Sequence, residues 1–566
     1  MGRRIGYLIV LFLLVATSAP CKDLFVSTTG SDAVTYANND IDHPWLTILK
    51  AMQNVQAGDV VYFREGTYTI PSGGITITTG FSAGSSGSPI RFTSYPGETA
   101  TWYSTQTNVT IRVGRDYWHF DNLDFLHEPS GSMSGDRGFF QCGYSTTGAN
   151  GFWVKDSTFE MTGCGDNYGA VHLKMESGGC NLVEIENNVI VNSNAGRCSG
   201  TTNTSGIITF LNKTVKILNN EIYGPPMGIY IKHGSSDTTC ANYDFQIKNN
   251  WVRYNYRRAF FNNSHCVVVE NNIFDGRGAS GDSSDNGASQ FNESNGGAGS
   301  DYVTINHNTF LGGVVFNEDD NGVQNATFTN NLVYDRVFNI HPYTYGTSGD
   351  GNVDADYNLY KTSTAVRVDN TNYTLAQWQS ASSEDANALS ATPTFTSTDF
   401  DSVDDFALTS GSAGYQACAD GSDMGADITL VGVDAGEEDT TPPVRSNGSP
   451  SGTIEYTATV TLSLNTNETA TCKWDTSSGT AYASMDNTFT NTNSTSHSHA
   501  SVAVSEGANV FYVRCEDGSD NENTDDYSIS FTVEEGTPPP SPVTNFNILS
   551  TGASTIGGGI GSLTIQ

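Results

Sequence analysis

The sequence predicts an all-β protein: a parallel β-solenoid followed by a small β-sandwich. Three observations support this: a phrase that recurs nine times, a single short amphipathic segment, and a composition with 59 glycines and only 15% charged residues. The phrase is a β-favouring run, a polar pair that is usually Asn-Asn, and a second β-favouring run. Such repeats indicate supersecondary units that bury their apolar faces by stacking.

The repeat recurs at spacings of 22 to 36 residues. The second member of each pair falls at Asn122, Ser157, Asn188, Asn220, Asn250, Asn272, Asn308, Asn331 and Asn358. Asparagines at the same bend of successive coils can hydrogen-bond to one another, and asparagine tolerates the left-handed backbone of a sharp bend. We therefore predict an asparagine ladder, in which the longer spacings contain loop insertions.

The chain divides into five predicted parts. Residues 1–21 combine two arginines, an apolar run and small residues, as a secretory signal peptide does. A lipid-anchored Cys21 is an alternative, which Pro20 disfavours. The solenoid is expected over 22–435, a Pro- and acid-rich linker over 436–451, the sandwich over 452–535 and a Pro/Gly-rich flexible tail over 536–566. We expect a secreted or cell-surface monomer that does not span a membrane.

Ten cysteines in such a chain predict disulfides. If Cys21 leaves with the signal peptide, nine remain and one stays unpaired. Plausible pairs are Cys142–Cys164, Cys180–Cys198, Cys240–Cys266 and Cys472–Cys515. The chain has no CxxC pair with metal-ligand spacing, so the sequence predicts no zinc site.

The net charge of −35 argues against nucleic acid as a partner, because no broad positive field is available to neutralise phosphates. A polyanionic partner would need a local group of cations. With only 26 Lys and Arg in the chain, any such group is informative.

Two segments resemble a known superfamily. The opening, DLFVSTTGSD…HPWLTILKAMQNVQAGDVVYFREGTYTI, resembles the first coil of pectate-lyase-like right-handed parallel β-helix proteins, where a short helix, here around Trp45 to Val55, caps the core. DDFALTSGSAGYQACADGSDMGADI, from Asp404, resembles their closing coil. The resemblance covers about residues 23–435 and implies a right-handed parallel β-helix. The strands after Gly452 look like the immunoglobulin-like modules of secreted bacterial carbohydrate-active proteins.

A further strand in each coil gathers the candidate site residues. Alignment of these strands places Val171, Ile207, Ile229 and Ala259 in one inward column, with Leu173, Thr209, Ile231 and Phe261 in the next. The outward columns are then His172, Ile208, Tyr230, Phe260 and Lys174, Phe210, Lys232, Asn262, Asn292. With His233, Arg257 and Arg258, this surface is basic and aromatic, which suits an acidic polysaccharide. The alternative is that these side chains are simply solvated.

The superfamily resemblance implies a reaction. Many of its secreted members are polysaccharide lyases that cleave uronate chains by β-elimination. Lys232 is then the first candidate for the base and Lys174 the second, and Tyr230, His172 or His233 could be the acid. The substrate-binding candidates are His172, Phe210, Arg257, Arg258, Asn262 and Asn292, with Arg257 or Arg258 as the carboxylate clamp.

Calcium is the one cofactor considered, and no organic cofactor is expected. In NEDDNG, Asn317, Asp319 and Asn321 offer oxygen ligands at alternating positions, although the twelfth position is Phe328 instead of a bidentate glutamate. A polar turn is the alternative. Three other functions remain open: a non-catalytic adhesin or glycan-binding protein, a uronate epimerase, and a glycoside hydrolase, whose expected acidic companions to His233 are absent.

Overall fold

The structure is a computed structural model that divides into two compact units, Met1–Glu437 and Glu438–Gln566. It describes residues 21–536 except for the following: 132, 134, 136, 144–148, 175–178, 194–197, 199–202, 211, 234–239, 241–243, 254–256, 278–288, 293–299, 318–324, 335–337, 342–352, 369–370, 434–441, 493 and 518–520. The predicted signal peptide, apart from Cys21, and the predicted tail, apart from Gly536, lie outside the described residues.

The first unit is a right-handed parallel β-helix made of three twelve-stranded sheets, which confirms the predicted fold class. The first sheet precedes the asparagine bend and contains β1 (Asp23–Val26), β2 (Val60–Phe63), β5 (Ile90–Ser94), β8 (Trp118–Asp121), β11 (Trp153–Lys155), β14 (Val183–Glu186), β17 (Thr214–Leu218), β20 (Asp244–Lys248), β23 (Val267–Glu270), β26 (Thr304–Asn306), β29 (Ala326–Thr329) and β32 (Val353–Asp356).

The second sheet follows the bend. It contains β3 (Gly66–Thr69), β6 (Ala100–Ser104), β9 (Asp124–His127), β12 (Thr158–Met161), β15 (Val189–Asn192), β18 (Glu221–Tyr223), β21 (Trp251–Arg253), β24 (Ile273–Asp275), β27 (Thr309–Leu311), β30 (Leu332–Tyr334), β33 (Leu359–Tyr360) and β36 (Leu389–Ser390).

The third sheet completes each coil and is parallel except for its last strand, β35, which pairs antiparallel to β34. It contains β4 (Ile75–Ile77), β7 (Ile111–Val113), β10 (Arg137–Cys142), β13 (Tyr168–Leu173), β16 (Ser205–Phe210), β19 (Met227–His233), β22 (Arg258–Asn262), β25 (Ser289–Asn292), β28 (Val314–Asn317), β31 (Phe338–His341), β34 (Val366–Val368) and β35 (Thr371–Tyr373).

Two helices cap or flank the coils. Helix α1 (Ile48–Asn54) lies where the capping helix is expected, and Thr47 caps its N-terminus by accepting a hydrogen bond from the Lys50 amide. Its residues Ile48, Ala51 and Met52 are buried in the main core, so the helix closes the open end of the solenoid. Helix α2 (Leu375–Ser382) follows the last coils, and short 3₁₀ turns span Tyr36–Asn38, Val403–Phe406, Ile428–Leu430 and Tyr482–Ser484.

The asparagine ladder is present from Ser157 to Asn358. From Asn220 to Asn358 each ladder oxygen accepts two hydrogen bonds from the preceding coil: Asn250 Oδ1, for example, accepts from the Asn220 amide and from Asn220 Nδ2, both at 3.0 Å. The first member of each pair adopts the left-handed conformation, as in Asn219 (φ 55°) and Asn249 (φ 60°). Asn122 is itself left-handed (φ 49°), so it is a first member and Leu123 occupies the ladder position; the predicted alignment was wrong by one residue there.

A carboxylate ends the ladder. Asp385 is fully buried and accepts hydrogen bonds from Asn358 Nδ2 (2.8 Å), Tyr360 Oη (2.7 Å) and Trp378 Nε1 (3.0 Å). Burial raises its pKa to about 6, although these three donors oppose the shift. The ladder amides are therefore satisfied at this end by an ionisable group.

The segment after the last coil, residues 395–433, packs back along the outside of the second sheet. Phe395, Phe400 and Phe406 form a second apolar core with Trp251, Leu332 and other residues of that sheet. Backbone bonds fix it beside the ladder bend: the Gly425 amide donates to Asn330 O (2.8 Å) and the Gly432 amide to Asn249 O (2.9 Å). We call residues 395–433 the closing segment.

The second unit contains one seven-stranded sheet with mainly antiparallel pairing around its own apolar core. Its strands are β37 (Arg445–Ser449), β38 (Gly452–Ile454), β39 (Thr459–Asp475), β40 (Asn487–Thr488), β41 (Ser494–Ala503), β42 (Gly507–Asp517) and β43 (Tyr527–Val533). This establishes a C-terminal sheet domain, and its immunoglobulin-like character stays a prediction.

Four disulfides are formed, and two of the predicted pairings are wrong. Cys240–Cys266 and Cys472–Cys515 pair as predicted. The observed bonds Cys142–Cys180 and Cys164–Cys198 join cysteines at the same position of neighbouring coils: the first two lie at or after the ends of β10 and β13, and the other two precede β13 and β16. The predicted pairs also linked neighbouring coils, but they joined cysteines at different positions around the coil, which stacking does not bring together. Cys418 and Cys21 are unbonded.

Within the described part of the chain, we find no helix that combines the length and the apolar character required to cross a bilayer.

Candidate functional site

The candidate site lies on the outward face of the third sheet. His172, Ile208, Tyr230 and Phe261 occupy matching register positions in β13, β16, β19 and β22, so their side chains form one column across four coils. The first three members of this column are those that strand alignment predicts.

The fourth member corrects the predicted alignment of β22. Phe260 pairs with inward-facing Ile229 and packs in the main core against Phe274, whereas Phe261 pairs with Tyr230 and faces outward. Asn262 therefore lies opposite Ile231, fully buried, where its Nδ2 donates to Ser264 O. Ala259 and Phe260 both contact the main core, so the alternation of inward and outward side chains is interrupted between them. The later residues of β22 therefore face the side opposite to the predicted one.

This face is an apolar cluster of its own, and most of it is shielded from solvent. Ile208, Phe210, Met227, Tyr230 and Phe261 pack together outside the main core. Phe210 and Tyr230 expose only 7% and 9% of their surface. The tyrosine ring meets Phe261 edge-on at 5.0 Å between centroids, and His172 stacks on Phe210 at 5.3 Å. Phe210 and Tyr230 are therefore not simply solvated, which was the alternative that the sequence left open.

A network of polar residues forms the rim of the cluster. Lys232 Nζ donates to Asn167 Oδ1 at 2.7 Å and lies 5.6 Å from the centre of the Phe210 ring. Asn203 Nδ2 donates to Asn167 Oδ1 (3.3 Å) and to Asp166 Oδ1 (3.0 Å). Arg257 Nη1 in turn donates to Asn203 Oδ1 at 3.3 Å. Lysine, arginine and aspartate are thus joined through two asparagines within one connected group.

Lys232 reaches this rim because of a strand irregularity. The register between β16 and β19 shifts after Thr209, so Phe210 pairs with His233 and Lys232 becomes the extra residue of a bulge. Bulges redirect side chains and are frequent beside functional sites. The sequence alignment instead placed Lys232 directly beside Phe210.

Tyr230 is positioned to keep its proton. Burial raises the pKa of its hydroxyl to about 12, with Asp166 acting in the same direction and Arg257 and Arg258 opposing it. At neutral pH the hydroxyl is therefore a donor, which fits the predicted role of an acid.

The other predicted residues lie as follows. Arg258 places its guanidinium 5.4 Å from the centre of the Phe261 ring. His172 is fully buried, with Nδ1 3.2 Å from Arg137 O, so it lies beneath the cluster. Lys174 follows β13 and is half-buried. The side chains of His233, Asn292 and Asn317, and the residues Asp319 and Asn321, lie outside the described residues.

Sequence reasoning missed Asp166, Asn167 and Asn203. They precede strands β13 and β16 in connecting segments, where no repeat marks them. One sequence signal could have identified these three residues: each is polar and precedes a third-sheet strand by one or two positions.

The outward face of the first sheet is a less suitable candidate because its charges neutralise one another. Lys155 Nζ bonds to Glu184 and Glu186 at 2.7 Å each, and Lys216 bonds to Glu184 at 3.2 Å. His119 stacks on Trp153 at 3.8 Å, and burial together with Lys155 lowers its pKa to about 4. These charges are already paired within the protein.

Three parallel sheets, an internal ladder and a capping helix define the class as right-handed parallel β-helix proteins. Within that class, residues 24–195 match the family described as "Pel9A-like, right handed beta helix region". This confirms the predicted resemblance to pectate-lyase-like β-helix proteins over the matched residues. The matched residues include His172, Lys174 and Asn167 but end before Lys232.

Similar proteins were found by sequence and by structure. Pectate lyase PEL9 of Emericella nidulans is 28% identical over 152 residues, which cover 24% of this chain and 34% of that protein. The chain thus aligns with about a third of this relative's length. Similar solved structures include a rhamnogalacturonan lyase (14% identity, 61% of this chain and 86% of that chain, TM-score 0.32). Another is a mannuronic acid specific family 6 polysaccharide lyase from human gut microbiota (14%, 60% and 74%, TM-score 0.31).

Proposed function

We propose that this protein is an extracellular polysaccharide lyase that cleaves a uronate-containing chain by β-elimination. The observation that supports this most is the group of cations at one rim: Lys232 and Arg257, connected through Asn167 and Asn203, with Arg258 adjacent, in a chain of net charge −35. Such a rim attracts the carboxylates of an acidic glycan.

The chemistry requires three tasks at this rim. Lys232 removes the proton α to the uronate carboxylate, Arg257 or Arg258 neutralises the carboxylate as the enolate forms, and Tyr230 protonates the leaving oxygen. Lys174, on β13's C-terminal side, is the alternative base. His172 supports the ring of Phe210, over which Lys232 lies.

Similarity to a pectate lyase makes pectate the first substrate to test, with alginate and glycosaminoglycans beside it. Each is incubated with the protein at several Ca²⁺ concentrations, because the predicted NEDDNG loop would supply oxygen ligands. We expect the ultraviolet absorbance of an unsaturated uronate product. Chain shortening without that absorbance would indicate a hydrolase and contradict the lyase.

A non-catalytic glycan-binding protein is the second candidate. The low exposure of Tyr230 and Phe210 favours it, because a covered acid has restricted access to a substrate. Binding to the same polysaccharides without turnover, measured by calorimetry, would establish this alternative. The predicted epimerase would change uronate configuration without an unsaturated product, and NMR of the incubated polymer detects that change.

A further inference from the structure

A second group of chemically reactive side chains lies far along the chain from the candidate site, at the junction between the coils and the closing segment. His307, Cys418 and Asp420 each place one potential ligand atom so that all three atoms lie within 4.8 Å of one another. His307 belongs to the bend between β26 and β27, whereas Cys418 and Asp420 belong to the closing segment. Folding brings together residues 111 positions apart in the sequence (418 − 307).

We propose that His307, Cys418 and Asp420 bind a zinc ion that fastens the closing segment to the coils. Imidazole, thiolate and carboxylate are the three ligand types that zinc uses in proteins, and a thiolate ligand disfavours calcium or magnesium. Zinc–ligand bonds of about 2.0–2.3 Å in tetrahedral geometry separate the ligand atoms by about 3.5 Å. The observed spread of at most 4.8 Å needs a contraction of about 1 Å.

The surroundings of His307 orient it as a ligand. Its Nδ1 lies 3.3 Å from Gly425 O, so the protonated nitrogen faces a carbonyl and the lone pair is on Nε2. A ligating histidine commonly donates its other ring N–H to a backbone carbonyl, which fixes the tautomer. The coils before and after have asparagine at the same bend position, Asn271 and Asn330. The left-handed backbone of the bend therefore does not require a histidine at position 307.

The two ligands of the closing segment are held by a tight turn. The Cys418 amide donates to Ser422 O (3.0 Å), and the Gly421 amide donates to Cys418 O (3.0 Å). The Ser422 amide and hydroxyl both bond to Asp420 Oδ1, which leaves Oδ2 for a metal. Cys418 takes part in none of the four disulfides. Its Sγ donates a hydrogen bond to Asp423 O at 3.3 Å, which the thiol would give up when it loses its proton to the metal.

Three protein ligands leave a fourth position, which a water can fill. A cavity of about 360 Å³ adjoins the cluster. It is lined by His307 of the coils and by closing-segment residues that include Tyr415 and Asp423. The cavity provides an entry path for the ion. The ion would add a cross-link between the closing segment and the coils. The amides of Gly425 and Gly432 already donate hydrogen bonds to the coils there, to Asn330 O and Asn249 O.

The test uses the full-length protein, handled without oxygen and without a reducing agent, so that the Cys418 thiol and the four disulfides are both preserved. Competition with a chromophoric zinc chelator should show one tight site per chain, and Co²⁺ should give a thiolate-to-metal charge-transfer band. His307→Asn should weaken zinc binding at least about 10–100-fold while leaving the fold intact, because neighbouring coils carry asparagine there. Cys418→Ala should remove the cobalt band.

His43→Asn is the matched control, since His43 also contacts an aspartate, Asp40, at an exposed site. It should retain full zinc affinity. Zinc should raise the unfolding temperature of the wild type and of this control, and should not raise that of His307→Asn. Zinc binding of equal strength in His307→Asn, or no stoichiometric binding by the disulfide-intact wild type, would overturn the proposal. Neither result depends on lyase activity.

Discussion

At the scale of the residue, the position of Lys232 follows from its strand bulge and its hydrogen bond to Asn167. The bulge directs the amine to the rim of the aromatic cluster, and Asn167 holds it there. Lys174 follows β13, which is separated from β19 by β16 in the third sheet, and it is the competing base. These two lysines can be distinguished by substitution.

We expect Lys232→Ala to lower kcat by about 10²–10⁴-fold, as loss of a general base does, with little change in stability. Lys174→Ala should retain most activity. Lys216→Ala is the control, because that lysine is paired with Glu184 on the first sheet. Steady-state rates on the cleaved polysaccharide measure all three. An inactive Lys174→Ala beside an active Lys232→Ala would assign the base to Lys174.

Tyr230→Phe removes a single hydroxyl from a ring packed against Phe261. If the hydroxyl protonates the leaving oxygen, kcat should fall by about 10²-fold or more, and the unfolding temperature should stay close to that of the wild type. Phe261→Leu changes the same cluster without removing a proton donor and is the control. Wild-type kcat in Tyr230→Phe would exclude the tyrosine as acid.

At the scale of the element, the ladder stabilises the bend by satisfying every amide hydrogen. Asn250 Nδ2 donates to Ile217 O, Lys248 O and Asn272 Oδ1, while its Oδ1 accepts two bonds from Asn220. Loss of this side chain leaves several buried partners unsatisfied, each at a cost of about 1–3 kcal/mol.

Asn250→Ala should therefore lower the free energy of unfolding by about 3–5 kcal/mol. Asn219→Gly is the control: Asn219 has a φ of 55°, which glycine adopts without strain, and it lies outside the inner ladder. Its effect should be well under that of Asn250→Ala. Urea denaturation measures both, and equal losses would contradict a special role for the inner ladder.

Asp385 gives the ladder end a pH dependence. Its pKa of about 6 lies above the value of 3.8 expected for an unfolded chain, so the folded chain binds more protons between these values. Its stabilising effect is complete at low pH and is lost, by about 3 kcal/mol, as the pH rises from about 4 to about 6. The difference in unfolding free energy between wild type and Asp385→Asn should decline across that window. A constant difference would contradict the prediction.

At the scale of the whole molecule, the two compact units have separate cores and separate disulfides. Cys472–Cys515 joins β39 to β42 within the second unit and closes a loop of 43 residues. In the chain-entropy view, such a cross-link contributes about 4 kcal/mol.

Replacing both Cys472 and Cys515 by alanine should therefore lower only the calorimetric transition of the second unit. Removal of Cys164–Cys198, which lies in the first unit, is the reciprocal control and should lower only the other transition. A shift of both transitions in either variant would show that the units unfold together.

Much of the fold could be predicted from short sequence signals. The Asn-Asn pairs predicted the bend, the stacking and the inner ladder, because each pair makes its bonds to the same pair one coil away. The capping helix was predicted from the resemblance of the opening segment to pectate-lyase-like β-helix proteins. The prediction failed at Asn122 and in β22, where a ladder position holds Leu123 and where two successive residues face inward.

The candidate site was predictable only in part. Tyr230, Lys232 and Arg257 could be found because cations and aromatic residues recur on one strand face. Their partners Asp166, Asn167 and Asn203 lie in connecting segments without a repeat, so only the folded chain identifies them. Strand alternation predicts that this face points outward, but it does not predict the low exposure of Phe210 and Tyr230.

The sequence by itself determined the repeating architecture, because the forces that stack the coils act between residues one repeat apart and recur many times. Only the tertiary structure decided which cysteines pair with Cys142 and with Cys164, that Phe261 faces outward, and that His307 lies close to Cys418. Each of these depends on a single long-range contact or a local irregularity, and a periodic pattern contains no information about either.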